Sequence, residues 1–480
     1  MSIIRWRLVS GSALRQLVAS FSFVIFSACV QTSLVNLTLL LPPNDPVREQ
    51  IDSVAIYINP NQNSSPQLST HIKNGYVAIP NFKLHNEKSL EIVVKGTANS
   101  SSIPIAVGHA HIDINTRSTQ SYAVTVYFGP NDHFASHPHP SLIHRRRFGV
   151  VTLKDHKIWI IGGEGLADLS GKFLSKTEIY DPATLTFSAG PDLSEGRADP
   201  MVGVIQDPTS QHEIIVVAGG ENGDSFSATA QAIDPSTLRT GPAFFMSQGA
   251  RARSGVLPLG DNRIALVGGQ SNDVTTAHTI EVISVDANLS LSFASTFNPG
   301  QSLFLSQARI APGVFPLADG SALIAGGVDT PDISQLAKDQ SLLTTVNNFN
   351  VIRNAPASFA ISKDTLFVAG GGDRSIESWA YQSHQLPTIF AELPETRINT
   401  ASITLVDGSL LITGGDIIDD VAAQTQASNN YLFSLNAPTL QRNFVAARSG
   451  HQLVLTSTST VLAIGGSDQD PSVEILAVDQ

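Results

Sequence analysis

The stretch KIWIIGG at residues 157–163 is four apolar residues running into two glycines, and the chain repeats the pattern. It returns as EIIVVAGG (213–220), RIALVGG (263–269), SALIAGG (321–327), TLFVAGG (365–371), SLLITGG (409–415) and TVLAIGG (460–466). The pairs Gly162–Gly163, Gly219–Gly220, Gly268–Gly269, Gly326–Gly327, Gly370–Gly371, Gly414–Gly415 and Gly465–Gly466 lie 57, 49, 58, 44, 44 and 51 residues apart. An arginine precedes each pair: Arg147, Arg197, Arg253, Arg309, Arg353, Arg397 and Arg448, at gaps of 15, 22, 15, 17, 17, 17 and 17. Turn signals such as the Asp-Gly of LADGSALIAGG sit between arginine and diglycine, marking a hairpin. After most pairs comes a polar loop and a third strand carrying glutamate: Glu178, Glu281, Glu377 and Glu474. A fourth short strand leads to the next arginine.

Four antiparallel strands at a period near 50 predict the blade of a propeller. The recurring Arg, GG and Glu, with YDP at residues 180–182, resemble the kelch repeat over residues 145–480. Two departures stand out. Residues 328–354 lack a glutamate strand, and the usual fourth-strand tryptophan is replaced by Phe187 and Phe390. The expected fold is all-β: a seven-bladed kelch-type β-propeller over residues 129–480, preceded by a small β-sandwich at 33–128. The glycines belong to architecture, where blades converge and a side chain would strike neighbouring backbone. The seventh repeat runs out of chain after three strands, and an open edge is a liability. HFASHPHPSLIHRR (133–146) parallels TFSAGPDLSEGR (186–197), so residues 132–136 are expected to supply the outer strand of the last blade.

Residues 33–128 carry alternating runs, SVAIYIN (53–59), SLEIVVKG (89–96) and SYAVTVYF (121–128), as half-buried strands do. The first 28 residues read as a leader: Arg5, Arg7 and Arg15, then the uncharged QLVASFSFVIFSA (16–28), too short for a membrane helix. Cys29 is the only cysteine, which excludes an intramolecular disulfide. FSAC (26–29) resembles the lipoprotein cleavage box of bacteria, implying lipidation at Cys29, a short tether over 29–32, and an envelope location, the outer membrane rather than the inner.

At 15% charged residues, 42% hydrophobic, 36 glycines and 26 prolines, the composition suits a turn-rich β protein. The net charge is −12; the first 28 residues hold three positive charges and no negative ones, so a chain starting at Cys29 carries about −15. That excludes nucleic acid as the natural partner. The seven arginines and the Asp-rich loops after GG fall on one face, a place for anionic or hydroxylated ligands. Regular repetition assigns the arginines first to holding the blades. A monomeric binding protein with an unknown protein or glycan partner, and with no cofactor or metal, is the expectation. Asp468 and Asp470, and the DIIDD loop, fall short of a calcium ligand set. His109 with His111, and His133, His137, His139 and His144, are the metal-like clusters; the first lacks a third ligand and prolines interleave the second. Copper-radical chemistry, known on secreted kelch propellers, needs a cysteine within the propeller and is excluded. A carbohydrate-active enzyme similar to periplasmic sialic-acid mutarotases is the alternative.

Overall fold

The computed structural model describes residues 2–479 except 4–5, 9–16, 27–31, 61–64, 67, 72–77, 80–81, 84–88, 99–100, 114–120, 208–210, 224, 261, 274, 295–303, 384, 420–424 and 435–436. Cys29 lies outside the described residues. The protein is all-β and built from many antiparallel sheets.

The N-terminal module has two layers. One sheet orders Gly129–Pro130, Pro104–Asp113, Ser89–Thr97, Ser53–Ile58 and Leu68–His71. The other pairs Ser121–Tyr127 with Thr32–Leu40, and Thr32–Leu40 with Leu17–Phe26. Val35, Leu37 and Leu39 meet Val54, Ile56, Leu90 and Ile92 in the shared core, as the alternating pattern requires. One feature differs from expectation. The Ser121–Tyr127 and Thr32–Leu40 strands run parallel, a pairing that the repeated turn signals do not announce. Within the stretch read as a leader, Leu17–Phe26 forms a strand antiparallel to Thr32–Leu40. The module also extends to Pro130, which pairs with Ala106.

From Ala135 to Ala477, among the described residues, the chain forms seven antiparallel sheets of at least four strands. Their second strands are buried throughout, as in Ile158–Ile161, Ala322–Ala325 and Leu410–Thr413, or at all but the first residue, as in Glu213–Ala218. Each faces a different neighbour with alternate side chains. Trp159 and Ile161 of the first sheet pack with Ile215 and Val217 of the second. Val216 and Ala218 then pack with Ile264 and Leu266 of the third. The same relay links third to fourth, fourth to fifth, fifth to sixth and sixth to seventh. It returns to the start, where Leu462 and Ile464 share a core with Ile158 and Ile160. Burial on both faces is why these strands read as continuous apolar runs.

The last sheet orders Ala135–Ser136, Val473–Ala477, Thr460–Ile464 and Gln452–Leu455. Its outer strand therefore comes from before the first repeat, with Ala135 opposite Ile475 and Ser136 opposite Glu474. Phe134 is fully buried beside Phe444, centroids 4.6 Å apart. Phe187 and Phe390 sit in fourth strands, Phe187 against Tyr180 and Phe390 against Phe367.

The N-terminal module rests on the seventh and first sheets. Lys95 pairs with Asp479 at 2.6 Å, and Leu40, Val107 and Tyr127 join the core containing Phe148 and Ile464. Together with His109 and His111, the turns at Asp155–His156, 181–183 and 457–459 line the cleft between the two parts. Those turns lie at the ends of the sheets opposite the diglycines.

Candidate functional site

The diglycines organise one face. In every sheet the guanidinium of a buried arginine donates through Nη1 to the carbonyl of the first glycine: Arg145 to Gly162, Arg197 to Gly219, Arg251 to Gly268, Arg309 to Gly326, Arg353 to Gly370, Arg397 to Gly414 and Arg448 to Gly465, at 2.6–3.1 Å. Just past that glycine, a backbone N–H donates to the carbonyl of the next sheet's arginine, as Gly163 does to Arg197 and Gly220 to Arg251. Gly466 donates to Arg145 and completes the circuit. A Cβ on Gly268 would stand 2.3 Å from the Arg309 carbonyl oxygen, and one on Gly465 would stand 2.3 Å from that of Arg145; both glycines also hold positive φ. Glycine is required here on two counts.

This geometry corrects the register of two repeats. The buried arginines of the first and third sheets are Arg145 and Arg251, not Arg147 and Arg253. With them the gap from arginine to glycine is 17 in six sheets and 22 only in the second. Arg197, Arg309, Arg353, Arg397 and Arg448 are also interior, so these five candidates for ligand contact are closed to solvent.

The third-strand glutamates complete the device in alternate sheets. Glu178 accepts from Arg145 at 2.6 Å, Glu281 from Arg251 at 2.9 Å and Glu474 from Arg448 at 2.8 Å; Glu377 lies 3.6 Å from Arg353. Each also accepts backbone N–H groups from the segment entering its sheet, for example Val445 and Ala446 on Glu474. The even sheets use other groups. Arg197 and Arg397 take Glu195 and Glu395, two residues before them. Arg309 has the Ser334 hydroxyl, at 2.9 Å, in place of a carboxylate, and its Nη1 donates to the Asp332 carbonyl at 2.7 Å as well as to Gly326. Burial without an ion pair pushes the Arg309 pKa down to about 10, the expected effect of dehydrating a lone charge.

Two residues beyond the buried arginine, the chain adopts left-handed backbone in six sheets, at Arg147, Asp199, Arg253, Ala311, Asn399 and Gly450. These residues form an inner girdle: Asp199 N–H donates to the Arg147 carbonyl, Ala311 to Arg253, Gly450 to Asn399 and Arg147 to Gly450. Residues following the diglycines stand beside them. Across the first three sheets the side chains gather charge. Arg147 and Arg253 both donate to Oδ2 of Asp199, at 2.7–2.9 Å. Both also contact Glu221, and Arg147 reaches Glu164 at 3.3 Å. Arg146 grips Glu164 at 2.8 and 3.1 Å and keeps 39% of its side chain exposed. Burial opposes charge on Glu164 and Arg147, but their partners outweigh it, holding Glu164 below and Arg147 above its ordinary pKa. Around the fourth and fifth sheets the corresponding positions are Ala311, Val328, Ala355 and Gly372. One sector is charged and the other small. Non-glycine residues held at positive φ concentrate where structure serves function, and Arg147, Asp199 and Arg253 are such residues on consecutive sheets.

The histidines do not converge. His133 bonds Asp132 at 2.6 Å and Asp45 at 3.0 Å, His137 is buried on the Tyr180 hydroxyl at 3.1 Å, and His144 lies 3.4 Å from Asp470. His139 places its carbonyl oxygen against the ring of His137. His109 is buried, whereas His111 faces Asp113 at 3.6 Å. Among the described residues no group of three His, Cys, Asp or Glu side chains is disposed to hold a metal.

Sequence reading missed Arg145, Arg146 and Arg251, and the carboxylates Glu164, Asp199 and Glu221. The signal was present in the common gap of 17, obscured by RRR at 145–147 and RAR at 251–253. No family model matches the chain and no curated protein is similar to it.

Proposed function

We propose that the seven sheets are the blades of a closed kelch-type β-propeller, and that the protein is a lipid-anchored bacterial envelope protein whose diglycine face binds a protein or glycan partner. The observation carrying this reading is the charged sector of Arg146, Arg147 and Arg253 with Glu164, Asp199 and Glu221, gathered on three adjoining sheets and half-buried, with Arg146 reaching solvent. Arginine forks of this kind suit recognition of carboxylates and hydroxyl groups.

Confinement to three sheets is what the alternative, a mutarotase-like carbohydrate enzyme, also asks for. Its chemistry asks for more. General acid work at neutral pH is done most often by a histidine or by a carboxyl with a raised pKa, whereas Glu164 is held low and the cluster's described residues include no histidine. Binding is the reading favoured.

Capture from solubilised envelope fragments, comparing the full-length protein with an Arg147→Ala/Arg253→Ala variant, tests the reading. The variant is expected to lose its partner while remaining folded by circular dichroism, at a melting temperature lowered by the loss of the Asp199 and Glu221 pairs. Capture that survives the double substitution moves the site elsewhere. For the anchor, Cys29→Ser is expected to release the protein from the membrane fraction, since acyl chains contribute about 0.8 kcal/mol per buried CH₂. Unchanged fractionation removes the lipid.

A further inference from the structure

The exposed phenylalanines among the described residues are Phe245 (73%), Phe304 (64%) and Phe293 (38%), all in or beside the second and third sheets. Phe293 leans on Phe244, centroids 4.8 Å apart. The loops of these two sheets form a cavity of about 430 Å³, with Phe245 and Phe304 next to residues of its wall. Ser247 in its wall follows Phe245 by two residues, and Thr279 in its wall is bridged to Phe304. A further aromatic ring, Phe226, lines the cavity itself, as do the surface amides of Gln248 and Asn272.

The charge of this cavity sets it apart from the arginine sector next door, where Arg253 donates to Gln270 at 2.9 Å. Among the described residues no Lys, Arg or His lines it, and the one ionisable group in its wall is Asp273. The Thr275 hydroxyl and N–H, at 2.8 and 2.9 Å, hold that carboxyl low. An anion gains nothing here, and Oδ1 of the Asp273 carboxylate is engaged by Thr275. The deeper hydroxyls are committed as well, Thr276 to the Gln248 carbonyl at 3.0 Å and Thr279 to the Thr276 carbonyl at 2.8 Å. What remains at the surface is amides, which donate and accept, beside aromatic faces. An uncharged ligand with hydroxyl edges and an apolar CH face matches that combination, and the volume is in the range of small-ligand sites.

We infer that the cleft between the second and third sheets is a subsite for an uncharged oligosaccharide, stacked on Phe226, extending over the exposed Phe304 beside Thr279, and hydrogen-bonded through Gln248 and Asn272. This rests on the binding reading above and makes the partner a glycan at this place. The test is saturation-transfer NMR and calorimetry on detergent-solubilised full-length protein. The probes are pentasaccharides of β-1,4-N-acetylglucosamine and of α-1,4-glucose, at millimolar concentrations. At least one is expected to bind, with Phe226→Ala and Phe304→Ala each weakening it about tenfold, the scale of one lost aromatic contact. Lys338→Ala, on an exposed turn of the fourth sheet, should leave this affinity within about twofold, because Lys338 does not line the cavity. Absence of binding to both sugars by folded protein overturns the proposal, as does binding indifferent to both phenylalanine variants. Loss of a protein partner in Phe304→Ala, without sugar binding, also overturns it and makes the patch a protein contact. In either failure, capture that depends on Arg147 and Arg253 leaves the wider binding reading standing.

Discussion

Deleting residues 132–137 is expected to convert the protein from a monodisperse species into aggregate. The deletion removes the strand opposite Val473–Ala477, a fully buried strand that would then expose its edge. It also removes Phe134, whose truncation to alanine alone should cost about 3–5 kcal/mol, and the His133 link to Asp45 on the N-terminal module. Size exclusion and thermal melting of the deletion, with Phe134→Ala as the milder variant, measure the effect. A soluble deletion with unchanged melting would show that the last sheet stands on three strands. The same segment gives a pH signature. His133, bonded to Asp132 and Asp45, has its pKa raised to about 9 in the fold. Its contribution is complete below the unfolded value, about 6.5, and disappears as pH rises through 9. His137, dehydrated by burial, has its pKa lowered to about 3. Below about 6.5 the unfolded chain therefore takes up a proton that the native chain refuses, and stability falls. Stability from this pair peaks near pH 6.5, and His133→Asn should flatten the alkaline limb of a melting-temperature profile while leaving the acid limb in place.

Arg448→Ala is expected to destabilise by about 3–5 kcal/mol, the scale for breaking a buried ion pair by removing one partner. Arg448 and Glu474 are both fully buried. Burial pushes the Arg448 pKa down, and Glu474 opposes that shift. The substitution leaves a carboxylate in the interior and frees the carbonyls of Gly465 and Ser472, bonded at 2.6 and 3.1 Å. A paired Arg448→Met/Glu474→Gln change should recover part of the loss. It removes both charges and keeps an acceptor for one of the two N–H groups, Val445 on Oε2 or Ala446 on Oε1. Urea denaturation gives the comparison; a loss under about 1 kcal/mol for Arg448→Ala would place the pair among surface-like bridges.

The repeat was legible because one physical demand recurs. A close approach between the chain past the second strand and the next sheet's arginine carbonyl admits only glycine, so GG marks every sheet. The glutamates of the odd sheets were legible for the same reason. The even sheets were not, because Glu195 and Glu395 reach the guanidinium from a different place in the chain and Ser334 replaces a carboxylate altogether. Where arginines cluster, as at 145–147, type alone does not reveal which one turns inward; burial decides it. The outer strand of the last sheet could be read by aligning residues 133–146 with 186–197. The phenylalanine-rimmed cavity could not, since Phe226, Phe245 and Phe304 lie far apart in sequence and share no repeat position.

The docking of the N-terminal module on the turns at Asp155–His156 and 457–459 gives the molecule a front and a back. The module occupies the back, and the diglycine loops with their charged sector look forward. Strand Thr32–Leu40 runs from the Cys29 side toward this junction, where Leu40 packs in the same core as Phe148, and its eight residue steps span about 26 Å. With Cys29 acylated as proposed, the module becomes a pedestal and the recognition surface a head turned away from the bilayer. A partner then approaches from the aqueous side without passing the lipid.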